Sequence, residues 1–337
     1  MNNAKSIIQD TLVAHTAFKQ AQQRLDVLFQ SAADHSGAEG LAIVGESGTG
    51  KTSVLDTFAM NHRATRTKDG MHVPILRATV PSGPNAKNLA GAMLNGLYCS
   101  DSYRGTQDDK THQLKALIKN TGTRMIMIDE FQYFYDRGTE RIMHHVDDWL
   151  KGLMDDTRVA IVVAGLPSCQ YVINQNEQLG RRFHAPLTLP RFSWTNSSER
   201  LEFTAILDGF NDRIATVYES PQLHSDSMAF RFYCATGGLI AYVAKILLHT
   251  LRCADAEGRT KLVLADFDAA EKTALWLSGW KPGMVRPFEH GFEVGNELSA
   301  LFHAASIGQA VETIPAHIAR KSKTVRKVSA HSVVRAS

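Results

Sequence analysis

A chain of 337 residues is long enough for one large domain or two ordinary ones. Its composition, 44% hydrophobic and 21% charged, excludes a disordered or fibrous protein. Lys and Arg number 37 against 34 Asp and Glu, which excludes a uniformly basic coat for nucleic acid but leaves room for a local basic surface.

The spacing of the cysteines and the length of the apolar runs indicate the cellular compartment of the protein. Cys99, Cys169, Cys234 and Cys253 are too far apart for a zinc site or a redox dithiol, and too few for a secreted scaffold. The N-terminus lacks an apolar signal core, and no run approaches the roughly 20 apolar residues that span a bilayer. We therefore expect a cytoplasmic protein that does not enter a membrane.

Short apolar runs alternate with amphipathic segments through the first 190 residues. Apolar residues near helical spacing predict a helical segment over residues 1–35, which glycines then end. Strands are predicted at residues 41–44, 72–80, 124–128, 159–164 and 187–189. Helices are predicted from the glycine-rich stretch after the first strand to about residue 61, and at 85–98, 111–120 and 141–154. This order is typical of an α/β fold with a central parallel five-stranded sheet flanked by helices.

The strand signal fades after residue 195. Helices are predicted at residues 197–209, 225–235 and 238–252, which indicates a small helical lid domain. The last 22 residues hold six Lys and Arg and no acid, so we expect a flexible basic tail. The resulting division is an N-terminal helical segment (1–36), an α/β core (37–194), a lid (195–280) and a C-terminal extension (281–337).

The sequence GESGTGKT matches the phosphate-binding loop of nucleotide hydrolases at every position. It comprises Gly45, Glu46, Ser47, Gly48, Thr49, Gly50, Lys51 and Thr52. Glycines let backbone N–H groups turn towards a β-phosphate, and the following helix adds its positive dipole end. Lys51 should reach the β- and γ-phosphates, and the hydroxyl of Thr52 should bind Mg²⁺. ATP and Mg²⁺ are the predicted cofactors. The alternative is a glycine-rich turn with an incidental lysine.

Four apolar residues at 125–128 precede two acids, Asp129 and Glu130. Asp129, at the end of a strand, should hold the Mg²⁺ shell, and Glu130 should polarise the attacking water. The alternative is an ordinary strand followed by an acidic turn. Adjacent acids are typical of ATPases in which the metal-aspartate strand is not the immediate neighbour of the phosphate-loop strand.

Three further residues are candidates for the γ-phosphate. Ser168 follows the fourth strand, where a polar side chain contacts the γ-phosphate and the water in such ATPases; it could equally be a helix N-cap. Arg181 and Arg182 precede the fifth strand, where an arginine of a ring ATPase faces the neighbouring subunit's nucleotide. A solvated helix end is the alternative for both arginines. Arg182 is slightly favoured because it directly precedes the apolar Phe183.

In order and spacing these pieces resemble the AAA+ superfamily and, more narrowly, the TniB/TnsC family of transposition regulators. The resemblance covers roughly residues 11–288. It rests together on GESGTGKT, PILRATVPSGP, the RGT that ends at Thr106, IMIDEFQYF, AGLPSC, LGRRF, TGGLIAYVAKIL and the late element Arg286-Pro287-Phe288.

The resemblance implies an ATPase that assembles into rings or helical filaments around double-stranded DNA. It would link a TniQ-type target selector to a DDE transposase, and hydrolysis would control disassembly and target immunity. Related proteins serve CRISPR-associated transposons. One departure lies in the lid, where many relatives carry a sensor arginine and this chain has Tyr242. Lys245 could substitute one turn later, and a core helix with a solvated lysine is the alternative.

Duplex binding requires cations and polar donors on the surface that meets phosphates. The segment between the second and third strands supplies candidates, which are Lys87, Asn88, Arg104, Lys110 and Thr111. Lys115 and Lys119 follow, and they fit a solvated helix face equally well. No recognition helix is evident, so binding is expected to be independent of sequence.

Two other functions fit the same motifs. A loader of the replication-initiation type would call for a winged-helix domain after the lid, and the polar residues after Lys281 are too few to form one convincingly. A signalling ATPase that switches its oligomeric state without touching DNA is the second alternative. A basic DNA-facing surface distinguishes it from the leading interpretation.

Overall fold

The computed structural model describes residues 2–9, 11, 13–32, 38–68, 70–275, 285–292 and 297–307. The predicted basic tail lies outside these residues. Within them, the helices are α1 (Asn2–Gln9), α2 (Thr16–Ser31), α3 (Lys51–Asn61), α4 (Ala86–Gly96), α5 (Gln107–Asn120), α6 (Tyr133–Arg137), α7 (Glu140–Thr157), α8 (Cys169–Ile173), α9 (Glu177–Gly180), α10 (Ser197–Ala215), α11 (Asp226–Thr236), α12 (Ile240–Ala256), α13 (Leu264–Ala274) and α14 (Glu297–Ser306). The strands are β1 (Gly40–Val44), β2 (Thr65–Thr67), β3 (Gly70–His72), β4 (Ile75–Thr79), β5 (Met125–Asp129), β6 (Ala160–Gly165) and β7 (Leu187–Thr188).

The described residues form two compact units. One lies within Met1–Gln20, Glu46–Gly50 and Leu189–Gln309, and the other within Ala21–Gly45 and Lys51–Thr188. No single helix in the described ranges is long and apolar enough to cross a membrane; α11 and α12, bent by 108°, pass that test only as a pair.

A five-stranded parallel sheet forms the centre of the second unit, as the alternation of strands and helices predicts. Its order is β4-β5-β6-β1-β7, and every neighbouring pair is parallel. The strand that carries Asp129 is separated from the phosphate-loop strand by β6, which confirms the arrangement predicted from the adjacent acids. Thr79 pairs with Asp129, and Val44 pairs with Gly165. The carboxyl ends of four strands therefore meet at one edge, where open α/β sheets bind ligands.

Side-chain caps set where the helices around this sheet begin. The side chain of Asn85 accepts from Asn88 N–H at the start of α4. Thr106 and Asp109 form a reciprocal capping box at the start of α5. Each cap satisfies a backbone donor that the helix itself leaves unpaired, and such caps contribute about 1 kcal/mol each.

The first unit is helical and has its own apolar core, to which α1 and helices α10 to α14 contribute. Phe288, from the late Pro-Phe element of the sequence, is 1% exposed. Its ring centroid lies 5.1 Å from that of Phe232 and 5.8 Å from that of Phe267. The buried carboxylate of Glu271 pairs with Arg286 at 3.1 Å, beside this aromatic cluster.

Two predictions of local structure were wrong in detail, and some elements were not predicted at all. Among the described residues of the segment 1–35 there are two helices, α1 and α2, instead of one, and Thr11, just after α1, donates its hydroxyl to Ile7 O at 2.6 Å. The strand predicted at 72–80 enters the sheet only at Ile75, since Pro74 lacks an N–H for the ladder. The antiparallel hairpin of β2 and β3, and helices α13 and α14, were not predicted.

Candidate nucleotide-binding site

The loop between β1 and α3 has the backbone conformation that its glycines allow. Gly48 and Gly50 have φ of +85° and +93°, values that residues with a Cβ rarely adopt. Gly45 N–H donates to Gly165 O at 3.2 Å, which fixes the start of the loop at the end of β6. Ser47, at the tip, is exposed. Backbone donors next to a helix N-terminus form an arrangement that suits phosphate.

Side chains of the loop also hold it in shape. Lys51 Nζ donates to Gly45 O at 2.8 Å, and the buried Thr49 donates its hydroxyl to Glu46 O at 3.0 Å. The carboxylate of Glu46 accepts from Arg191 Nε at 3.1 Å on both oxygens. The side chain of Glu46 is thereby engaged in a bidentate ion pair, so any contact of Glu46 with a nucleotide falls to its backbone.

Thr52 and Asp129 lie together, although 77 residues separate them. Thr52 Oγ1 donates to Asp129 Oδ2 at 2.8 Å. Asp129 is 5% exposed, and Thr52 is on the first turn of α3. One hydroxyl and one carboxylate oxygen beside a phosphate loop are the donors that Mg²⁺ takes in such sites. The residues present therefore fit the predicted metal.

Two residues that the sequence analysis missed surround this pair. Arg77 Nη2 lies 2.6 Å from Asp56 Oδ1 and 3.9 Å from Asp129 Oδ2. Arg77 Nη1 is buried and has no hydrogen-bond partner among the described residues. A charged residue at the third position of an otherwise apolar strand, ILRAT, was the signal that could have indicated Arg77. The guanidinium partly balances the negative charge of Asp129.

Glu130 has a strained backbone, with φ of +58°, a conformation that non-glycine residues seldom adopt. Its N–H donates to Asp129 Oδ1 at 2.9 Å, so the two acids are joined locally. Its Oε2 accepts from Gln132 Nε2 at 2.5 Å, a contact that the sequence analysis did not predict. Strain of this kind clusters at functional sites, where the surrounding structure holds it in place.

Burial raises the pKa of two titratable groups near Glu130. Burial raises the pKa of Asp136; the charge of Arg137 opposes this shift, and the charge of Glu130 adds to it. Burial also raises the pKa of the Cys169 thiol well above its usual range. Cys169 is therefore a thiol rather than a thiolate, which argues against a nucleophilic role for it.

Ser168 directly precedes α8 and is half-buried. It occupies the N-cap position, yet its side chain makes no capping hydrogen bond. The capping alternative thus has no contact to support it. The hydroxyl follows β6, the strand that runs between those of the phosphate loop and of Asp129.

The two candidate arginines differ in their surroundings. Arg182 pairs with Asp155 at 2.5 Å, and its side chain is 27% exposed. Arg181 pairs with Glu177 one turn earlier, and its side chain is 74% exposed. The slight sequence-based preference for Arg182 therefore receives no support from exposure, because a side chain that acts on a neighbouring subunit has to reach out from the surface.

The structure separates the five candidate DNA contacts. Lys87, Asn88 and Arg104 are exposed. Asn88 Nδ2 donates to Gly83 O at 2.8 Å, and Arg104 lies 3.5 Å from Asp101 Oδ1.

Lys110 is 4% exposed, and its ammonium donates to Ser102 O at 2.6 Å. The hydroxyl of Thr111 donates to Gln107 O at 2.7 Å and accepts from Trp149 Nε1 at 2.9 Å. The expectation that Lys110 and Thr111 face phosphates is therefore corrected, because their polar groups are turned into the protein and already bonded. Lys110 ties the segment between α4 and α5 to α5, and Thr111 links α5 to α7.

Lys245, the candidate substitute for a sensor arginine, is exposed on α12. The same helix begins next to the phosphate loop, since Ala241 N–H donates to Gly48 O at 3.3 Å. Its solvent-facing position is the one expected for the alternative of a core helix with a lysine on its wet face. A contact of Lys245 with nucleotide stays a prediction.

Comparisons with known proteins agree with this geometry. The sequence model of the family described as Bacterial TniB protein matches residues 3–194, more than half of the chain. No curated protein matches the chain.

Solved structures with a similar fold include the ORC2 protein of Aeropyrum pernix in ADPNP-ADP complexes. It has 13% identity and a TM-score of 0.60, over 82% of this chain and 72% of that chain. Cdc6p from Pyrobaculum aerophilum has 16% identity and a TM-score of 0.56, over 77% and 68%. The Aeropyrum pernix ORC1 protein in complex with DNA has 13% identity and a TM-score of 0.52, over 78% and 66%. These likenesses show a shared AAA+ fold.

Proposed function

The chain belongs to the TniB family of AAA+ ATPases, and we propose that it assembles with ATP on double-stranded DNA in the cytoplasm to regulate transposition. The proposed assembly is a ring or helical filament that bridges a TniQ-type target selector and a DDE transposase. The family match supports the link to transposition. The observation that carries the nucleotide-dependent part is the 2.8 Å contact between Thr52 and Asp129 beside the phosphate loop.

Each residue of the site has a proposed role in hydrolysis. Lys51 binds the β- and γ-phosphates, and Thr52 with Asp129 holds Mg²⁺, which would neutralise phosphate charge when bound. Glu130 orients the attacking water and accepts its proton. Ser168 donates its hydroxyl to the γ-phosphate.

An arginine of the adjacent subunit supplies charge from the other side, and we assign this role to Arg181 because its side chain is the more exposed. A residue that acts on a neighbour's nucleotide makes hydrolysis depend on assembly. It follows that ATP would promote the assembled state and that its hydrolysis would end that state.

The proposed DNA surface includes Lys87, Asn88 and Arg104, which are exposed on the segment between β4 and β5. Cations in this position would contact phosphates without reading bases, so affinity should fall steeply with salt. The ORC and Cdc6 structures share the fold at 13–16% identity, and that likeness does not carry their biological roles to this chain.

The test is electron microscopy of the purified protein with duplex DNA, with and without ATP. Rings or filaments on DNA are expected only with nucleotide. Glu130→Gln should trap these assemblies because it binds ATP without hydrolysing it, and Lys51→Ala should form none. Protein that ignores DNA under every nucleotide condition would overturn the proposal and favour a signalling switch. Glu130→Gln hydrolysis at the wild-type rate would overturn the role of Glu130.

A further inference from the structure

A buried amide connects Glu130 to the turn that follows β6. Gln132 is 5% exposed. Its Nε2 donates to Glu130 Oε2 at 2.5 Å, and its Oε1 accepts from Leu166 N–H at 3.2 Å. The two partners fix the orientation of the amide, since a carboxylate only accepts and a backbone N–H only donates.

The packing around this amide leaves it little freedom. A Cβ on Gly165 would lie 2.1 Å from Gln132 Oε1, so the position at the end of β6 must remain glycine while the amide is there. Cys169 Sγ lies 3.9 Å from the same oxygen. The backbone is tied as well, because Phe131 N–H donates to Ala164 O at 2.9 Å. The amide is thus held in one place by its neighbours on β6 and α8.

Local helix structure does not account for these contacts. Gln132 occupies the N-cap position of α6, but its side chain makes no capping hydrogen bond. Both ends of its amide instead reach groups outside α6. A buried polar side chain that is satisfied by two partners on different segments has a defined position and can fix the position of what it touches.

We infer that Gln132 is a positioning residue for hydrolysis, which holds the carboxylate of Glu130 and couples it to the turn that carries Ser168. This inference rests on the catalytic role proposed for Glu130. The amide occupies one carboxylate oxygen and leaves the other for water. A general base must lie within hydrogen-bond reach of the proton that it takes, and a misplacement of about 1 Å costs on the order of a hundredfold in rate.

The same amide connects the turn after β6 to the carboxylate of Glu130. Leu166 N–H and Glu130 Oε2 share one rigid side chain, so a shift of the turn moves the carboxylate. Ser168 lies two residues after Leu166, and a contact between its hydroxyl and the γ-phosphate would act on this turn. The state of the γ-phosphate would thereby influence where Glu130 points.

The experiment compares two substitutions with opposite chemistry. Gln132→Met keeps the length of the side chain and removes both hydrogen bonds, so kcat for ATP should fall about tenfold or more while KM and the Kd of a fluorescent ATP analogue change less than twofold. Gln132→Glu places a second carboxylate against Glu130. The second carboxylate cannot donate to Glu130 as the amide does and repels it, so kcat of Gln132→Glu should also fall about tenfold or more with little change in KM.

Controls separate positioning from folding. Gln113→Met makes the same change on the exposed face of α5 and should leave kcat unchanged. Thermal unfolding identifies any variant that is not folded, and Gln132→Glu, which retains an acceptor for Leu166 N–H, keeps the test available if Gln132→Met unfolds. A structural role alone would lower stability without lowering kcat of the folded protein at unchanged KM.

Two results would overturn the inference: wild-type kcat in folded Gln132→Met, or wild-type kcat in folded Gln132→Glu. Glu130→Gln distinguishes this failure from that of the proposed function. If Glu130→Gln is inactive and Gln132→Met is normal, only the positioning role is lost. If Glu130→Gln hydrolyses ATP normally, the assignment of the base itself is wrong.

Discussion

The guanidinium of Arg182 lies 2.5 Å from the carboxylate of Asp155, at the end of α7. The backbone around Arg182 is also fixed, since its carbonyl accepts from Gly40 N–H at 2.8 Å. Arg181, one residue earlier, has an ion pair with Glu177 in which both side chains are more than 70% exposed. Exposed ion pairs of this kind contribute about 0–1 kcal/mol and break easily. Arg181 is therefore the less constrained of the two arginines, which supports the role proposed for it at a neighbouring subunit.

Arg181→Ala should lower the rate of ATP hydrolysis by assemblies roughly a thousandfold without lowering the melting temperature. Arg182→Ala should lower the melting temperature, because it leaves Asp155 unpaired and loosens the chain beside β1. Mixing supplies the decisive measurement. Glu130→Gln subunits bind ATP and assemble without hydrolysing it, and they retain Arg181, so adding them to Arg181→Ala subunits should restore part of the hydrolysis.

The control for mixing is the double variant Glu130→Gln/Arg181→Ala, which assembles but lacks Arg181 and should restore nothing. Full activity of Arg181→Ala assemblies would contradict the assignment. A stable but inactive Arg182→Ala protein that the same mixing rescues would transfer the role to Arg182.

A second prediction concerns Mg²⁺ at Thr52. Thr52→Val keeps the shape of the side chain and removes the hydroxyl that contacts Asp129. We expect the Mg²⁺ concentration for half-maximal hydrolysis to rise on the order of tenfold, as when one ligand or its support is lost. Binding of a fluorescent ADP analogue in EDTA should be unchanged, because the phosphate loop is intact. Equal Mg²⁺ dependence in both proteins would contradict the role.

Much of the site could be predicted from sequence because its signals are local. Glycines at positions 48 and 50 predict a backbone with positive φ, which only glycine adopts readily. The geometry of the loop follows from eight consecutive residues. The adjacent acids at 129–130 predicted the strand order, since that pattern occurs in one arrangement of the sheet. Apolar runs predicted the buried strands because the signal for each strand lies within its own residues.

Two of the contacts that sequence reasoning missed join residues far apart in the chain. Arg77 meets Asp129 across 52 positions, and Gln132 meets Leu166 across 34. Nothing within either segment specifies such a partner. The prediction for Lys110 failed for a related reason. Its ammonium lies 2.9 Å from where a Cβ on Gly91 would be, in space that the glycine leaves free, and amphipathic spacing does not reveal this.

A third prediction separates the cations of the segment between β4 and β5. The double substitution Lys87→Ala/Arg104→Ala should weaken duplex binding uniformly across sequences and reduce the slope of log K against log salt by about 2, without changing stability. Lys110→Met should lower stability instead, because Ser102 O loses its donor. Fluorescence anisotropy with labelled DNA at several salt concentrations measures the first effect, and thermal unfolding the second.

The matched control is Arg252→Ala, which removes an exposed cation from α12. It should leave the salt slope unchanged. A slope that is also unchanged in Lys87→Ala/Arg104→Ala would remove this segment from the proposed DNA surface. Loss of DNA binding in a fully stable Lys110→Met protein would restore Lys110 as a contact.

The fourth prediction follows from a carboxylic acid in the core around the sheet. Asp147 on α7 is 0% exposed, and neither of its carboxyl oxygens has a hydrogen-bond partner in the described part of the chain. Burial, and secondarily the charge of Asp148, raises the pKa of Asp147 from 3.8 to about 8. The folded protein therefore holds this group neutral at pH values where the unfolded chain would ionise it.

The sign of the pH dependence follows from this difference. Below pH 3.8 both states bind the proton and the group does not penalise folding. As the pH rises from about 4 to about 8, the unfolded chain binds fewer protons than the folded one, and the free energy of unfolding falls. Asp147→Asn cannot ionise, so the free energy of unfolding of wild type minus that of the variant should drop by about 1 kcal/mol or more between pH 5 and pH 9. Urea unfolding at pH 5, 7 and 9 measures it. The control is Asp148→Asn, which changes an exposed residue on the same helix and should show a much smaller pH dependence. If the free energy of unfolding of wild type minus that of Asp147→Asn stays constant with pH, Asp147 does not titrate in this range.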